Sequence, residues 1–149
     1  MARAWLSLGA NIGEPAAQLA EAIGRIAAHP QITVVAEAPP VVTKPWGKTD
    51  QPDFVNSALE IETGLLPIEL LEVLLGIEQA MGRRRIEVWG PRVIDIDIIA
   101  IERLEIDMPR LKVPHPHAHE REFVLAPLRQ ISPETANWIV SRRASPPAR

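Results

Sequence analysis

The elements predicted along the chain follow one another as strand, helix, strand, strand, helix, strand, and this order indicates an α+β fold. It is typical of the ferredoxin-like arrangement, in which an antiparallel sheet carries helices on one face. Two further observations agree with it. One strand candidate has isoleucines on one face and acidic residues on the other, and the prolines concentrate in stretches that suggest long, shaped loops. We expect the helices to cover the isoleucine side of the sheet.

Length and composition limit the class of protein. At 149 residues the chain can form one domain with a real core, residues 1–149, of which about 144–149 are a loose tail. A net charge of −3 argues against nucleic-acid binding through a broad basic surface, and the absence of cysteine excludes disulfides and thiolate metal sites. Since no apolar run reaches about 18 residues and no signal peptide is recognisable, we expect a cytoplasmic protein without a membrane partner. We also expect a monomer that binds no nucleic acid.

The first strand is short and apolar, at residues 4–8, and it ends at the glycine-containing segment 9–13. That segment matches neither the dinucleotide fingerprint nor the P-loop, so we interpret it as a structural turn. A helix follows with Pro15 in its first turn, and a second strand covers 32–38. The inward stripe of this helix consists of Leu19, Ile23 and Ile26.

A polar loop rich in proline and glycine, 43–53, leads into a strand at 54–62. Phe54 and Asn56 share one face of this strand. An aromatic ring beside a carboxamide can hold a flat heterocycle, by stacking on its face and hydrogen bonding to its edge. The alternative is a partly exposed phenylalanine at the start of a strand. The other face is mostly apolar and is expected in the core: Val55, Ser57, Leu59 and Ile61.

A second helix begins at Pro67 and ends near Gly82, and three arginines at 83–85 follow it. A run of like charges is usually a solvated surface. The three arginines lie between a helix end and two acids, and this position favours binding of a phosphate chain, because arginine binds phosphate with paired hydrogen bonds. The inward residues of the helix are expected to be Ile68, Leu71, Leu74, Leu75 and Ile77.

Two aspartates dominate the next strand, at 93–99. Asp95 and Asp97 share one face, about 6.6 Å apart, and the isoleucines at 94, 96 and 98 share the other. Two like charges so close favour a bound cation, and a pair of Mg²⁺ ions fits, because Mg²⁺ takes carboxylate oxygens and keeps positions open for phosphates. Arg92 adds positive charge for a polyphosphate. The alternative is a solvated strand face with two surface acids.

The remaining chain is predicted to contain a short strand within 102–107, a proline-bounded loop at 110–116, a helix at 123–131 interrupted by Pro127, and a last helix from Pro133.

Three alternating histidines, His115, His117 and His119, have the bare spacing of a zinc site or of the histidine triad of nucleotide hydrolases. A triad needs hydrophobic spacers in a strand-like segment, and Pro116 interrupts it. We therefore expect His115 to help bind phosphate and assign no role to the other two.

The stretch 91–99, Pro-Arg-x-x-Asp-Ile-Asp-Ile-Ile, resembles the signature of the hydroxymethyldihydropterin pyrophosphokinase family. The similarity extends from residue 7 to about residue 127. It includes the segments 7–11, 50–56, 77–78, 82–85, 113–115 and 121–123. The chain departs from the family pattern at Phe54, Leu75, Val88, Lys112 and Pro116.

The resemblance implies long active-site loops and an ATP-dependent diphosphotransferase of folate biosynthesis. This enzyme would transfer diphosphate from ATP to the hydroxymethyl group of 6-hydroxymethyl-7,8-dihydropterin and release AMP. By the same resemblance, Asp95 and Asp97 carry two Mg²⁺ ions and act in catalysis with Arg83 and Arg92. The pterin would meet Thr43, Pro45, Trp46, Phe54, Asn56 and Phe123. ATP would meet Glu78, Arg83, Arg85, Trp89, Arg92, Ile98, Arg110, His115 and Arg121.

Two other functions stay open on the sequence. The same pair of acids could serve another Mg²⁺-dependent phosphoryl or nucleotidyl transferase with a different acceptor. Alternatively, the chain could be a non-catalytic ferredoxin-like ligand-binding module whose acids are surface residues.

Overall fold

The computed structural model describes residues 1–43, 53–82 and 94–144. Its strands are β1 (Ala2–Ala10), β2 (Ile32–Glu37), β3 (Val41–Thr43), β4 (Phe54–Thr63), β5 (Asp95–Ile101), β6 (Ile106–Asp107) and β7 (Lys112–Val113). Its helices are α1 (Pro15–Ala27), α2 (Pro67–Gly82), α3 (Glu122–Ile131) and α4 (Pro133–Ala144), with a 3₁₀ turn at Ala118–Glu120. None of the helices in these ranges is long and apolar enough to cross a membrane.

The main sheet is antiparallel and has the strand order β2-β4-β1-β5, with β3 paired to the end of β4. Without β3, this is the order of a ferredoxin-like βαββαβ unit, so the predicted α+β fold is confirmed. β6 and β7 form a separate small hairpin. The strand expected within 102–107 is therefore only two residues long, and its partner is β7 rather than the main sheet.

Strand β3 was not predicted, because it is short and lies next to two prolines and a polar loop. It pairs with the beginning of β4, where Thr43 is opposite Phe54 and Val41 is opposite Asn56. Thr43, expected in a loop, therefore lies in a strand beside Phe54.

Helices α1 and α2 cover one face of the sheet, as expected. Alternate residues of β1, such as Leu6 and Leu8, pack there against Leu19 of α1 and Leu74 of α2. The prediction that Leu75 is also inward is wrong, since its side chain is 39 % exposed. Leu70 and Met81 of the same helix are buried instead, because the buried stripe follows a spacing of three to four residues.

Helices α3 and α4 lie against the opposite face, so the expectation of helices on one face only is incomplete. Trp5 of β1 points away from Leu6 and packs with Ile99, Val124 and Leu128. The second face thus has its own apolar cluster, supplied by the last third of the chain. Its coverage is partial, and the uncovered part of the face forms the candidate site.

Candidate active site

A cleft of about 780 Å³ lies on the second face of the sheet, beside the beginning of α3. Residues of four strands, β1, β3, β4 and β5, form its floor. The segment just before and within the first turn of α3 forms one wall. Its lining consists of Ser7, Gly9, Ala10, Asn11, Thr43, Phe54, Asn56, Asp95, Asp97, Glu120, Arg121, Glu122 and Phe123.

The strand register brings the two polar halves of the cleft together. Gly9 of β1 is opposite Asn56 of β4 on one side and opposite Asp95 of β5 on the other. Ser7 is opposite Asp97 in the next row of the same face. Because neighbouring strands are about 4.8 Å apart, Asn56 and Asp95 are separated by about 10 Å across Gly9.

The acidic half of the cleft has the alternation that the sequence predicts. Asp95 is exposed and Asp97 is partly exposed, and both line the cleft, whereas Ile94, Ile96 and Ile98 are buried on the opposite face. The two carboxylates therefore face the same space and are accessible to a ligand.

Helix α2 fixes the backbone between these acids. A carboxylate oxygen of Glu78 accepts a hydrogen bond from the backbone N–H of Ile96 at 2.6 Å. Among the described residues β5 is the edge strand of the main sheet, so no described strand pairs with its outer backbone groups, and Glu78 satisfies one of them. Glu78 thereby supports the strand segment from which both aspartates project.

The donor set suits Mg²⁺. This ion is commonly bound through one or two carboxylates, with waters and substrate phosphates completing its six positions. Within the described ranges, no three His, Asp or Glu side chains converge into a closed metal cage. The pair Asp95 and Asp97 thus offers oxygen ligands and leaves most coordination positions to phosphate and water.

The aromatic half of the cleft is built from the only two phenylalanines of the chain. Phe54 begins β4 and is 38 % exposed, and Phe123 lies in the first turn of α3 and is 43 % exposed. Asn56, two residues after Phe54 on the same face, is only 5 % exposed although it lines the cleft. Two accessible aromatic rings and a buried carboxamide can hold a flat, hydrogen-bonding ring system.

Basic groups lie near both halves. The guanidinium carbon of Arg121 is 5.7 Å from the centre of the Phe123 ring. Burial lowers the pKa of His115, electrostatic interactions with Arg121 and His117 act in the same direction, and the interaction with Asp97 opposes them. His115 also donates its backbone N–H to the Ile99 carbonyl of β5 at 2.9 Å. It is therefore tied to the acidic strand and is biased toward its neutral form.

Four of the described residues assigned to ATP do not line the cleft: Glu78, His115, Ile98 and Arg110. The first two are connected to β5 by the hydrogen bonds given above. Ile98 is 5 % exposed and points into the core under α1 and α2, because it alternates with Asp97. Arg110 is an exposed residue between β6 and β7. The other two of the three alternating histidines, His117 and His119, lie at the 3₁₀ turn rather than in a strand. The strand-like alternation that a histidine triad needs is therefore not formed.

Six predicted site residues lie outside the described ranges: Pro45, Trp46, Arg83, Arg85, Trp89 and Arg92.

Several cleft residues were not predicted, above all Ser7, Gly9 and Asn11. The glycine-containing segment was interpreted as a turn from residue 9, but β1 continues to Ala10, so this interpretation is wrong for Gly9. It holds for Gly13, whose φ is +62°. The signal was present in the alternation of Trp5, Ser7 and Gly9 with Leu6 and Leu8, which continues the strand past residue 8.

Comparison with known proteins gives a consistent result. The family described as 7,8-dihydro-6-hydroxymethylpterin-pyrophosphokinase matches residues 5–133. A Methylorubrum extorquens protein named 2-amino-4-hydroxy-6-hydroxymethyldihydropteridine pyrophosphokinase is 52 % identical over 134 residues, 90 % of this chain and 85 % of that protein. A Pseudomonas aeruginosa protein of the same name is 41 % identical over 132 residues, 89 % of this chain and 82 % of that protein.

The fold has solved counterparts. The wild-type HPPK-DHPS protein of Plasmodium falciparum, crystallised with pteroate, superposes with a TM-score of 0.71 over 97 % of this chain. The chain spans 43 % of that longer protein, at 16 % sequence identity. At this identity the likeness shows the fold alone, and it agrees with the ferredoxin-like topology.

Proposed function

The chain belongs to the 7,8-dihydro-6-hydroxymethylpterin-pyrophosphokinase family, and on this premise we propose how its cleft holds the two substrates. The enzyme transfers diphosphate from ATP to the hydroxymethyl group of the reduced pterin in folate synthesis and releases AMP. ATP is its co-substrate and Mg²⁺ its metal. The resemblance stated from the sequence is therefore confirmed at the level of the family.

The pterin occupies the aromatic half of the cleft. This assignment is carried by one observation: two accessible phenylalanine rings share a cleft with a carboxamide that is almost fully buried. Phe54 and Phe123 stack on the faces of the pterin, and Asn56 hydrogen bonds to its edge. Thr43 contributes to the same end from β3, and Pro45 and Trp46 are assigned to it by the family resemblance.

The polyphosphate of ATP occupies the acidic half. Asp95 and Asp97 would hold two Mg²⁺ ions, which neutralise phosphate charge when bound. Arg121 and His115 are assigned to this end by the family resemblance. The electrostatic interactions of His115 with Asp97 and with Arg121 support the assignment. Glu78 acts by supporting β5. Arg83, Arg85, Trp89 and Arg92 complete the ATP site by the family resemblance, which also assigns Ile98 and Arg110 to the nucleoside.

The order across the sheet aligns the two substrates. Asn56 at the pterin end and Asp95 at the phosphate end lie in one row with Gly9 between them. The pterin hydroxymethyl oxygen attacks the β-phosphorus and forms the new O–P bond. The bond from that phosphorus to the oxygen bridging to the α-phosphorus breaks, AMP leaves with this oxygen, and the hydroxyl proton is released. Alignment and charge neutralisation supply most of the acceleration in such transfers.

Some properties stay predictions from the sequence. These are a single domain over 1–149, a cytoplasmic location and a monomeric state. Light scattering of the purified chain tests the last of them, because a dimer would double the measured mass.

The experiment that tests the proposed reaction is an analysis of its products. The purified chain is incubated with ATP, Mg²⁺ and 6-hydroxymethyl-7,8-dihydropterin, and the nucleotides are separated. We expect AMP and the pterin diphosphate in equal amounts. ADP as the nucleotide product would indicate a different phosphoryl transferase, and no turnover, together with no shift of the melting temperature by Mg-ATP, would favour the ligand-binding module.

A further inference from the structure

Gly9 occupies an unusual place for a glycine. It lies inside the central strand β1 and is paired on both sides, with Asn56 of β4 and Asp95 of β5. Its φ is not in the left-handed region, so its backbone conformation does not require glycine. A glycine within a strand often marks a close approach of another group, and Gly9 has such a neighbour.

That neighbour is the carboxamide of Asn56. A Cβ atom built on Gly9 would lie 2.7 Å from Oδ1 of Asn56 and 3.8 Å from its Cγ. Real Cβ atoms do not approach an oxygen so closely, so a side chain at position 9 would push the carboxamide away. Because Asn56 is almost fully buried, it has little room to move without changing which of its polar atoms face the cleft.

The conflict is confined to the pterin end. Apart from the two chain neighbours of Gly9, no other atom of the described residues lies within 4 Å of the added Cβ. Asp95 pairs with Gly9 through the backbone, but the added Cβ does not contact the Asp95 side chain. A methyl group at position 9 is therefore a local probe of Asn56 and leaves the acid pair in place.

We propose that Gly9 is a positioning residue for pterin recognition. Its missing side chain leaves the space in which the Asn56 carboxamide lies, and this placement aims the carboxamide at the edge of the pterin. The inference rests on the proposed pterin subsite, because it takes Asn56 as the group that binds the heterocycle. Gly9 itself acts only through Asn56.

A double-mutant cycle tests the proposal, with variants Gly9→Ala, Asn56→Ala and the double variant. Gly76→Ala is the matched control, since a Cβ there meets no described atom within 4 Å. Binding of 6-hydroxymethyl-7,8-dihydropterin is titrated in the presence of Mg²⁺ and a non-hydrolysable ATP analogue, and binding of the analogue is titrated separately. We expect Gly9→Ala to weaken pterin binding by about 10- to 100-fold, the range for a broken buried polar contact, with analogue binding within about 2-fold of wild type.

The double variant shows whether the effect of Gly9→Ala depends on the Asn56 side chain, which a general structural effect of the methyl group would not do. In the Asn56→Ala background the clash disappears, so adding Gly9→Ala should weaken pterin binding no further. Equal pterin affinity of wild type and Gly9→Ala would overturn the inference while leaving the proposed function intact, as would an equal loss of pterin and analogue binding.

A wild-type chain that binds no pterin would overturn the proposed function and the inference with it. If Gly9→Ala does not fold, the double variant must recover folding, and its failure to do so would also contradict the proposal.

Discussion

At the scale of single residues, the two phenylalanines carry the assignment of the pterin end. Each is exposed by more than a third although it is a large apolar side chain, and both exposed rings meet the same cleft. A ring that only fills the core would be buried. Their exposure is explained if a flat ligand covers them when it is bound.

Removing one ring gives the first residue-scale prediction. Phe54→Ala should weaken pterin binding by about 1–3 kcal/mol, by analogy with the stacking of bases on aromatic side chains, and leave ATP binding nearly unchanged. Val42→Ala is the control, because Val42 is an exposed apolar residue of the neighbouring strand β3 and does not line the cleft. Isothermal titration calorimetry with each substrate shows whether Phe54 contributes to pterin binding or to ATP binding. A similar loss for ATP would place Phe54 at the nucleotide end.

His115 gives a prediction about pH. Burial holds the pKa of His115 below its usual value near 6.5. Just below pH 6.5, this side chain is therefore less protonated in the folded chain than in the unfolded chain. The contribution of this residue to stability is therefore present above about pH 6.5 and is lost as the pH falls through the lowered pKa of the folded state. Urea unfolding at pH 8 and pH 5.5 should show a larger loss of unfolding free energy for wild type than for His115→Gln. Equal losses would contradict the shift.

Much of the residue pattern could be predicted, because the period of two in a strand is a local property. It correctly places Asp95 with Asp97 and Phe54 with Asn56. The row formed by Asn56, Gly9 and Asp95 could not be derived, since it depends on the register between strands far apart in sequence. Gly9 was taken for a turn because the local signal of a glycine outweighed the alternation of β1, which continues past residue 8.

At the scale of elements, β5 depends on α2 for the position of its acids. The strand is at the edge of the sheet, and the Glu78 carboxylate holds the N–H of Ile96, the residue between Asp95 and Asp97. This contact connects the end of a helix that belongs to the hydrophobic core with the polar face on the other side of the strand.

Loss of the hydrogen bond between Glu78 and Ile96 should affect both the stability of the protein and its Mg²⁺ requirement. Glu78→Ala leaves the Ile96 N–H without its acceptor, and we expect the free energy of unfolding to fall by about 1–3 kcal/mol. The Mg²⁺ concentration for half-maximal rate should also rise, because the strand segment is less well held. Glu72→Ala, an exposed glutamate of the same helix, is the control. A variant with lowered stability and an unchanged Mg²⁺ requirement would show that Glu78 has no influence on the acids.

The elements themselves were predicted unevenly. The βαββαβ order followed from periodicity and turn residues, and α3 was placed within one residue despite Pro127 inside it. β3 was missed, since a three-residue strand exists only through its pairing with β4. The position of α3 and α4 on the second face was also missed, because an apolar stripe shows that a helix is packed and does not show on which side.

At the scale of the whole molecule, the two faces of the sheet have different roles. One is covered mainly by α1 and α2 and supplies the main core. The other is divided between the apolar cluster around Trp5 and the open cleft. The cleft therefore has a floor of paired strands, which holds the acids and the carboxamide at fixed separations, and this rigidity suits a reaction that depends on alignment.

The central claim is that Asp95 and Asp97 serve the chemical step in this cleft, and turnover of the two asparagine variants tests it most directly. Asp95→Asn and Asp97→Asn each remove one negative charge and almost no volume. We expect AMP formation to fall by about 100-fold or more in each, while the melting temperature stays near that of wild type. Asp107→Asn, the same change at an exposed acid of β6, should retain normal turnover. Near-normal turnover in both cleft variants would contradict the account.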